Sequence, residues 1–250
     1  MARQAPVRDV APTVQRLRLR YAKRGRLRFT STRDFQRALE RALRRTGVPM
    51  AYSQGFNPHP RISYTNAAPT GTASEAEYVE LAVTSVLDPE KVRAALDEAL
   101  PPGLDVLEVV EVRSSDFADR LQASVWVIEL PEVEPEAARA AAEAFLAAPV
   151  VEVQRLTKSG MRTFDAREPV VRLEVRDAPG SGLDSDEGRA PAPPCAILDL
   201  VVRHVTPSVR PDDVLAALRQ VADLVPPVPA RVTRLAQGPL AADASTGPAT

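Results

Sequence analysis

An α+β protein of two successive strand-helix-strand-strand-helix-strand halves, with mainly antiparallel sheets, is what this sequence predicts. Three observations carry that reading. Runs of strict alternation, such as Arg16-Leu17-Arg18-Leu19-Arg20-Tyr21, mark strands with one face in a core. Apolar residues three and four apart, as in Phe35, Ala38, Leu39, Ala42 and Leu43, mark helices between the strands. The plan then occurs twice, with a local echo at an offset of 122 residues: the helix start Pro89-Glu90-Lys91-Val92-Arg93-Ala94-Ala95-Leu96 stands in register with Pro211-Asp212-Asp213-Val214-Leu215-Ala216-Ala217-Leu218. This order is the split βαββαβ pattern of ferredoxin-like domains, so the expectation is two tandem ferredoxin-like halves.

Residues 1–13 are expected as a flexible arm. The first half, 14–115, opens with the alternating strand, Leu17, Leu19 and Tyr21 facing the core and Arg16, Arg18 and Arg20 the other side. Lys23-Arg24-Gly25 reads as a turn in which Gly25 is free to take positive φ. Arg26-Leu27-Arg28-Phe29 then resumes the alternation as an extra hairpin strand. Ser31 and Thr32 are candidate caps of a helix to about Arg45, with Asp34 favourable in its first turn and Gly47 as its stop. Residues 49–74 read as a loop-rich connection, stiffened by the X-Pro steps around His59, with a strand starting at Ile62-Ser63-Tyr64. Ala76–Val83 reads as a strand, Asp88 and Pro89 start a helix that Pro101-Pro102-Gly103 ends, and Val106–Val112 is a strand. The second half, 122–236, holds strands at Ser124–Leu130, Val150–Leu156, Val170–Val175, Ala196–Val205 and Ala230–Leu235, and helices at Pro135–Ala147 and Pro211–Asp223. Residues 177–194 are expected as a disordered insertion and 237–250 as a flexible tail.

Composition bounds the function. The chain has 250 residues, 44% of them hydrophobic, enough for one large domain or two of roughly 100 residues. No apolar run approaches the about 18 residues of a membrane span, and the N-terminus lacks the apolar core of a secretory signal, so a cytoplasmic protein is expected. The single cysteine, Cys195, rules out an internal disulfide framework and a multi-cysteine metal site. With only His59 and His204 beside it, neither a zinc centre nor an iron–sulfur cluster is expected in this chain.

A net charge of −1 hides a strong asymmetry. Residues 1–65 hold 15 Lys and Arg against three acids, a net of +12, while the rest of the chain nets −13. Such a split points to a local anion-binding surface. Lys23, Arg26, Arg28, Arg33, Arg37, Arg41 and Arg44 are the candidate phosphate contacts, with RNA as the expected partner. Four of them recur along one helix at intervals of four, four and three, a spacing of like charges that costs stability unless an anion answers it. Tyr21, Phe29, Tyr52, Phe56 and Tyr64 are interleaved with this charge, and any of them outside the core could stack on bases. The plainer alternative is that acidic segments fold against the basic ones and cancel them.

The first third carries recognisable motifs: Tyr21-Ala22-Lys23-Arg24-Gly25-Arg26-Leu27-Arg28-Phe29, Ser31–Asp34 before the basic helix, Ser53-Gln54-Gly55-Phe56-Asn57-Pro58-His59-Pro60-Arg61-Ile62-Ser63, and Gly71-Thr72-Ala73-Ser74-Glu75-Ala76-Glu77-Tyr78. Together they resemble the radical-SAM-linked family of unknown function, a domain fused to cobalamin-type radical-SAM proteins or encoded beside them. The likeness spans roughly residues 15–235, with weaker echoes at Lys158–Arg167 and Val209–Leu215. It implies a radical-SAM partner that would carry the iron–sulfur cluster and SAM, and a place near RNA metabolism. Where the family tends to Ser-His-x-Asp, this chain has Ser31-Thr32-Arg33-Asp34, which reads as a helix start.

His59 is the weak candidate for catalysis, as acid or base, within the motif loop Gly55, Phe56, Asn57, Pro58, His59, Pro60 and Arg61. It also fits a phosphate contact, and the plainer reading is a loop histidine that fixes the turn. Ser74, Glu75 and Glu77 read as a solvated loop before a strand, Cys195 as an inert buried thiol and His204 as structural. Three functions follow: an RNA-binding accessory module for a radical-SAM enzyme, an RNA-processing enzyme using His59, or a protein-binding adaptor that meets no nucleic acid.

Overall fold

The computed structural model describes residues 10–114, 116–157, 160–177 and 193–240. The expected arm up to residue 9, the insertion over 178–192 and the tail from 241 lie outside the described residues. The chain divides into two units between Ala118 and Asp119.

In the first unit, strand β1 (Gln15–Lys23) leads through a short 3-10 helix (Gly25–Phe29) into α1 (Thr32–Arg45). Then come β2 (Ile62–Thr65), β3 (Ala73–Val83), α2 (Pro89–Ala99) and β4 (Val106–Glu111). Within this unit the strands lie in the order β4-β1-β3-β2, and every pairing is antiparallel. Alternation along β1 sends Leu17 and Leu19 into a core with Phe35, Leu39 and Leu43 of α1, Val79 and Leu81 of β3, and Leu96 of α2. Each fully buried leucine of this set contributes about 2 kcal/mol. The Tyr21 and Phe35 rings stack with centroids 4.0 Å apart, fixing α1 against β1. Both helices thus cover one face of the sheet, and Arg16, Arg18 and Arg20 emerge from the other.

One helical turn, α3 (Phe117–Arg120), precedes the second unit. It contains β5 (Ala123–Pro131), α4 (Pro135–Ala147), β6 (Glu152–Thr157), β7 (Gly160–Asp165), β8 (Val170–Asp177), β9 (Cys195–Arg203), α5 (Pro211–Ala222) and β10 (Arg231–Gly238). Its sheet runs β10-β5-β9-β8, again antiparallel, and β6 and β7 form a separate hairpin. Phe145, Ile128, Leu198, Leu200 and Leu218 fill its core. Pro211 takes the first turn of α5, and the Asp213 carboxylate accepts from the Arg210 N–H at 2.8 Å and from Arg155 at 2.5 Å. The motif at Val209–Leu215 therefore builds a helix start tied to the β6–β7 hairpin. The fold is α+β with antiparallel sheets.

Several sequence-based expectations change. Arg26–Phe29 is a 3-10 turn and not a hairpin strand, because Gly25 at φ 53° turns the chain and the Arg28 carbonyl accepts instead from Gly71 N–H, at 2.8 Å. Strand β3 starts at Ala73, so Ser74, Glu75 and Glu77 lie inside it and not in a solvated loop. Gly160–Asp165 is an additional strand, the strand expected to end at Leu235 continues to Gly238, and Asp177 still belongs to β8. Cys195 is half-buried at the start of β9.

Candidate nucleic-acid interface

Helix α1 is built to hold charge outward. Ser31 caps it, its hydroxyl accepting from Asp34 N–H at 3.2 Å, and Asp34 sits where the helix dipole favours an acid. Phe35, Leu39, Ala42 and Leu43 occupy the buried side. Arg33, Arg37, Arg41, Arg44 and Arg45 then share the exposed side. Among the described residues, none of these five guanidinium groups has a carboxylate within ion-pair distance. The helix has two acids, and both are engaged: Asp34 accepts from the Ser31 hydroxyl at 2.7 Å, and Glu40 from Gln36 at 3.0 Å. The 3-10 turn just before it adds exposed Arg26, half-buried Arg28 and Phe29, which is 59% exposed with Arg28 4.7 Å from its ring centre.

The strand arginines behave differently. Arg18 ion-pairs with Glu80 at 2.6 Å and lies 3.6 Å from the Phe117 ring centre. Arg20 sits 3.4 Å from Glu108. Arg24 is held by both Glu75 and Asp105. These acids lie 51 to 88 residues away along the chain and reach the arginines through the register of β1 with β3 and β4. The expected row of strand arginines is therefore mostly neutralised, and it faces away from α1. The positive charge does not gather into one continuous patch.

Lys23 is a correction. It is 4% exposed and its Nζ donates to the Ala68 and Pro69 carbonyls at 3.3 and 3.2 Å, so it cannot reach a phosphate. Strand β1 runs on through Lys23, and its alternation puts residue 23 on the same side as Leu17, Leu19 and Tyr21, so the side chain turns inward; the extra residue of the register shift lies in β3. The buried Glu77 accepts from Ala68 N–H at 3.1 Å, fixing the same segment. Glu75 is likewise a positioning residue, bound to Arg24.

The motif loop is pinned at its base. Ala51 N–H donates to Ala82 and Arg61 N–H to Ala51, each at 2.8 Å, while Ser53 N–H donates to His59 at 2.9 Å. Ser53 Oγ also accepts from His59 N–H at 3.1 Å and meets the imidazole Nδ1 at 2.9 Å. Gly55, at φ 141°, lets the tip turn, and Phe56, Asn57 and Pro58 stand exposed there. His59 and Arg61 are exposed too. They line a cleft of about 280 Å³ with Arg16, Ser53, Ser63 and Glu80. Because Arg16 pairs with Ala82 and Ser63 with Glu80, this cleft opens on the sheet face opposite α1. Arg16 is expected only as part of the strand row and not beside His59, and Ser53 only as part of the motif loop. The signal for Ser53 is its spacing from His59, a polar pair closing a Gly-Phe-Asn-Pro tip.

Of the aromatic residues, Tyr21 is core and Tyr64 is half-buried, while Tyr52, Phe56 and Phe29 are exposed. His204 is structural in geometry: its Nδ1 lies 2.6 Å from the Leu121 carbonyl and its Nε2 2.7 Å from Ser124 Oγ. Among the described residues no helix is long and apolar enough to cross a membrane, and no cluster of three or more His, Cys, Asp or Glu side chains could hold a metal ion.

Residues 16–211 match the model of a family described as an uncharacterized protein conserved in bacteria (DUF2344). No curated protein matches the chain.

Proposed function

We propose, from the premise that this chain belongs to the DUF2344 family of conserved bacterial proteins, that it is an RNA-binding accessory module acting beside a radical-SAM enzyme. The observation that carries the RNA reading is the outward stripe on α1. Arg33, Arg37, Arg41, Arg44 and Arg45 are exposed together, with no carboxylate answering them among the described residues. Phosphates would displace counterions along that stripe, and the resulting affinity would fall steeply with salt. Arg26, Arg28 and the exposed Phe29 extend the same element toward its N-terminal end, adding charge and a ring on which a base could stack.

The order of strands supports the finer reading of the fold. In the first unit β1, α1, β2, β3, α2 and β4 give the order β4-β1-β3-β2; in the second, β5, α4, β8, β9, α5 and β10 give β10-β5-β9-β8. Both orders fit a ferredoxin-like unit, the second with the β6–β7 hairpin inserted after α4. The radical-SAM partner is implied by the motif resemblance. In that arrangement the partner holds the iron–sulfur cluster and SAM, and this chain presents the RNA.

The test is direct binding. Fluorescence anisotropy with labelled single-stranded and structured RNA should show saturable binding at low salt, lost in the Arg37→Glu/Arg41→Glu variant. A chain that leaves RNA anisotropy unchanged at about 50 mM salt, where phosphate contacts are strong, would remove the reading. Co-purification with a radical-SAM protein encoded nearby tests the partner separately.

A further inference from the structure

The cleft on the opposite sheet face is a second basic site, and its makeup differs from that of the helix stripe. Three donors from two stretches of chain line it: Arg16 from β1, and His59 and Arg61 from the two sides of Pro60. Among the described residues neither arginine has a carboxylate partner; Arg61 donates to the Thr13 hydroxyl at 3.1 Å. The one acid on the wall, Glu80, already accepts twice from Arg18, at 2.9 and 2.6 Å. The small side chain of Ala82, opposite Arg16 in the sheet register, leaves the floor open. Ser53 orients the imidazole: its oxygen accepts the His59 backbone N–H and meets Nδ1 at 2.9 Å, with the Asn57 carbonyl 3.4 Å from the same nitrogen, which leaves Nε2 as the ring nitrogen without a partner among the described residues.

We propose that this cleft binds a terminal phosphate monoester, the 5′- or 3′-phosphate of a nucleotide or of an RNA end. Two guanidinium groups match the charge of about −2 that a monoester carries near neutral pH. The His59 imidazole and the Ser63 hydroxyl, which line the same cleft, add further hydrogen bonding. A bridging phosphodiester, with one charge and two substituents, suits an open stripe such as α1; a walled cleft of about 280 Å³ suits a chain end. The proposal rests on the RNA reading only for the identity of the strand. Its anion chemistry stands apart, because the cleft and α1 occupy opposite sides of the first unit.

With only two histidines in the chain, imidazole C–H resonances give the readout on the full-length protein. Adenosine 5′-monophosphate should shift the His59 signal saturably and leave His204 in place, while adenosine shifts neither. Arg16→Gln and Arg61→Gln should each weaken the response about tenfold, the loss of one hydrogen bond to a charged group. Arg37→Glu/Arg41→Glu should lose RNA affinity yet keep the adenosine 5′-monophosphate response, which separates this site from the stripe. Inorganic phosphate binding as tightly as the nucleotide would mark a site for the phosphoryl group alone; tighter binding of a 5′-phosphorylated oligoribonucleotide would mark a strand end. An unmoved His59 signal with all phosphates overturns the proposal. So does a response that survives Arg16→Gln/Arg61→Gln, or a 5′-hydroxyl oligoribonucleotide that matches its phosphorylated form.

Discussion

Arg18 donates to Glu80 through two nitrogens, Nε at 2.9 Å and Nη2 at 2.6 Å, across the β1–β3 pairing. The guanidinium is further covered by Phe117, and both partners are largely shielded, with 14% and 21% of their side chains exposed. This pair separates the arginines that hold the first unit together from those free to meet a ligand.

Arg18→Gln should therefore destabilise the protein while leaving RNA affinity within about twofold of the parent. Losing a partly buried ion pair of this geometry costs about 1–2 kcal/mol, because Glu80 keeps its desolvation and loses its donors. Urea unfolding checks the first half and anisotropy the second. A double-mutant cycle with Glu80→Gln should return a coupling of about 1 kcal/mol.

Replacing Arg33, Arg37, Arg41 and Arg44 together by Gln should act in the opposite sense. Four phosphate contacts contribute about 3 to the slope of log affinity against log salt on a single strand, so the variant's slope should flatten by that amount. The helix itself should become slightly more stable, since like charges three and four apart repel by a few tenths of a kcal/mol per pair. A variant that binds RNA with an unchanged slope would place the phosphates elsewhere.

The helix stripe was legible in the sequence because its information is local. Ser31, Asp34 and the apolar residues from Phe35 to Leu43 fix where α1 begins and which side turns outward. The strand arginines misled because their fate is not local: Glu80 lies 62 residues from Arg18, and only the β1–β3 register brings them together. Lys23 misled because Lys-Arg-Gly reads as a turn, whereas β1 runs through Lys23 and its alternation carries that residue to the buried side. The 3-10 segment Arg26–Phe29 reads as a strand because Arg-Leu-Arg-Phe alternates in either conformation. Arg16 entered the cleft unannounced: the loop at 49–61 folds back onto β3 through hydrogen bonds that no sequence period reveals.

Glu77→Ala should be among the most damaging single changes in the first unit. Glu77 is 2% exposed and holds the Ala68 N–H, while Lys23 holds the neighbouring carbonyls of Ala68 and Pro69. Removing the carboxylate strands a buried donor and leaves the Lys23 ammonium buried with one less counter-charge in its surroundings. The expected loss is about 3–5 kcal/mol, the range for breaking a buried charged arrangement. Thermal unfolding checks it, and a fall below about 1 kcal/mol would show that the segment relaxes to let water in.

Acidification should weaken the second unit through His204. Burial pushes its pKa below the usual histidine value; the Leu121 carbonyl opposes that shift, and the positive charge of Arg234 adds to it. The folded state therefore favours the neutral ring, with Nδ1–H donating to Leu121 and Nε2 accepting from Ser124. The unfolded chain binds a proton near pH 6.5. Stability is thus fully present above that value and is lost as pH falls through the folded-state pKa, with a limiting slope of about 1.4 kcal/mol per pH unit. Asp213 has the opposite sign: burial raises its pKa, so its contribution is lost as pH rises. Urea midpoints between pH 7.5 and 5.5, taken as the difference between the parent and His204→Gln, cancel Asp213 and isolate the histidine. The difference should shrink steadily toward low pH, and parallel curves would mean that the ring takes up its proton without cost to the fold.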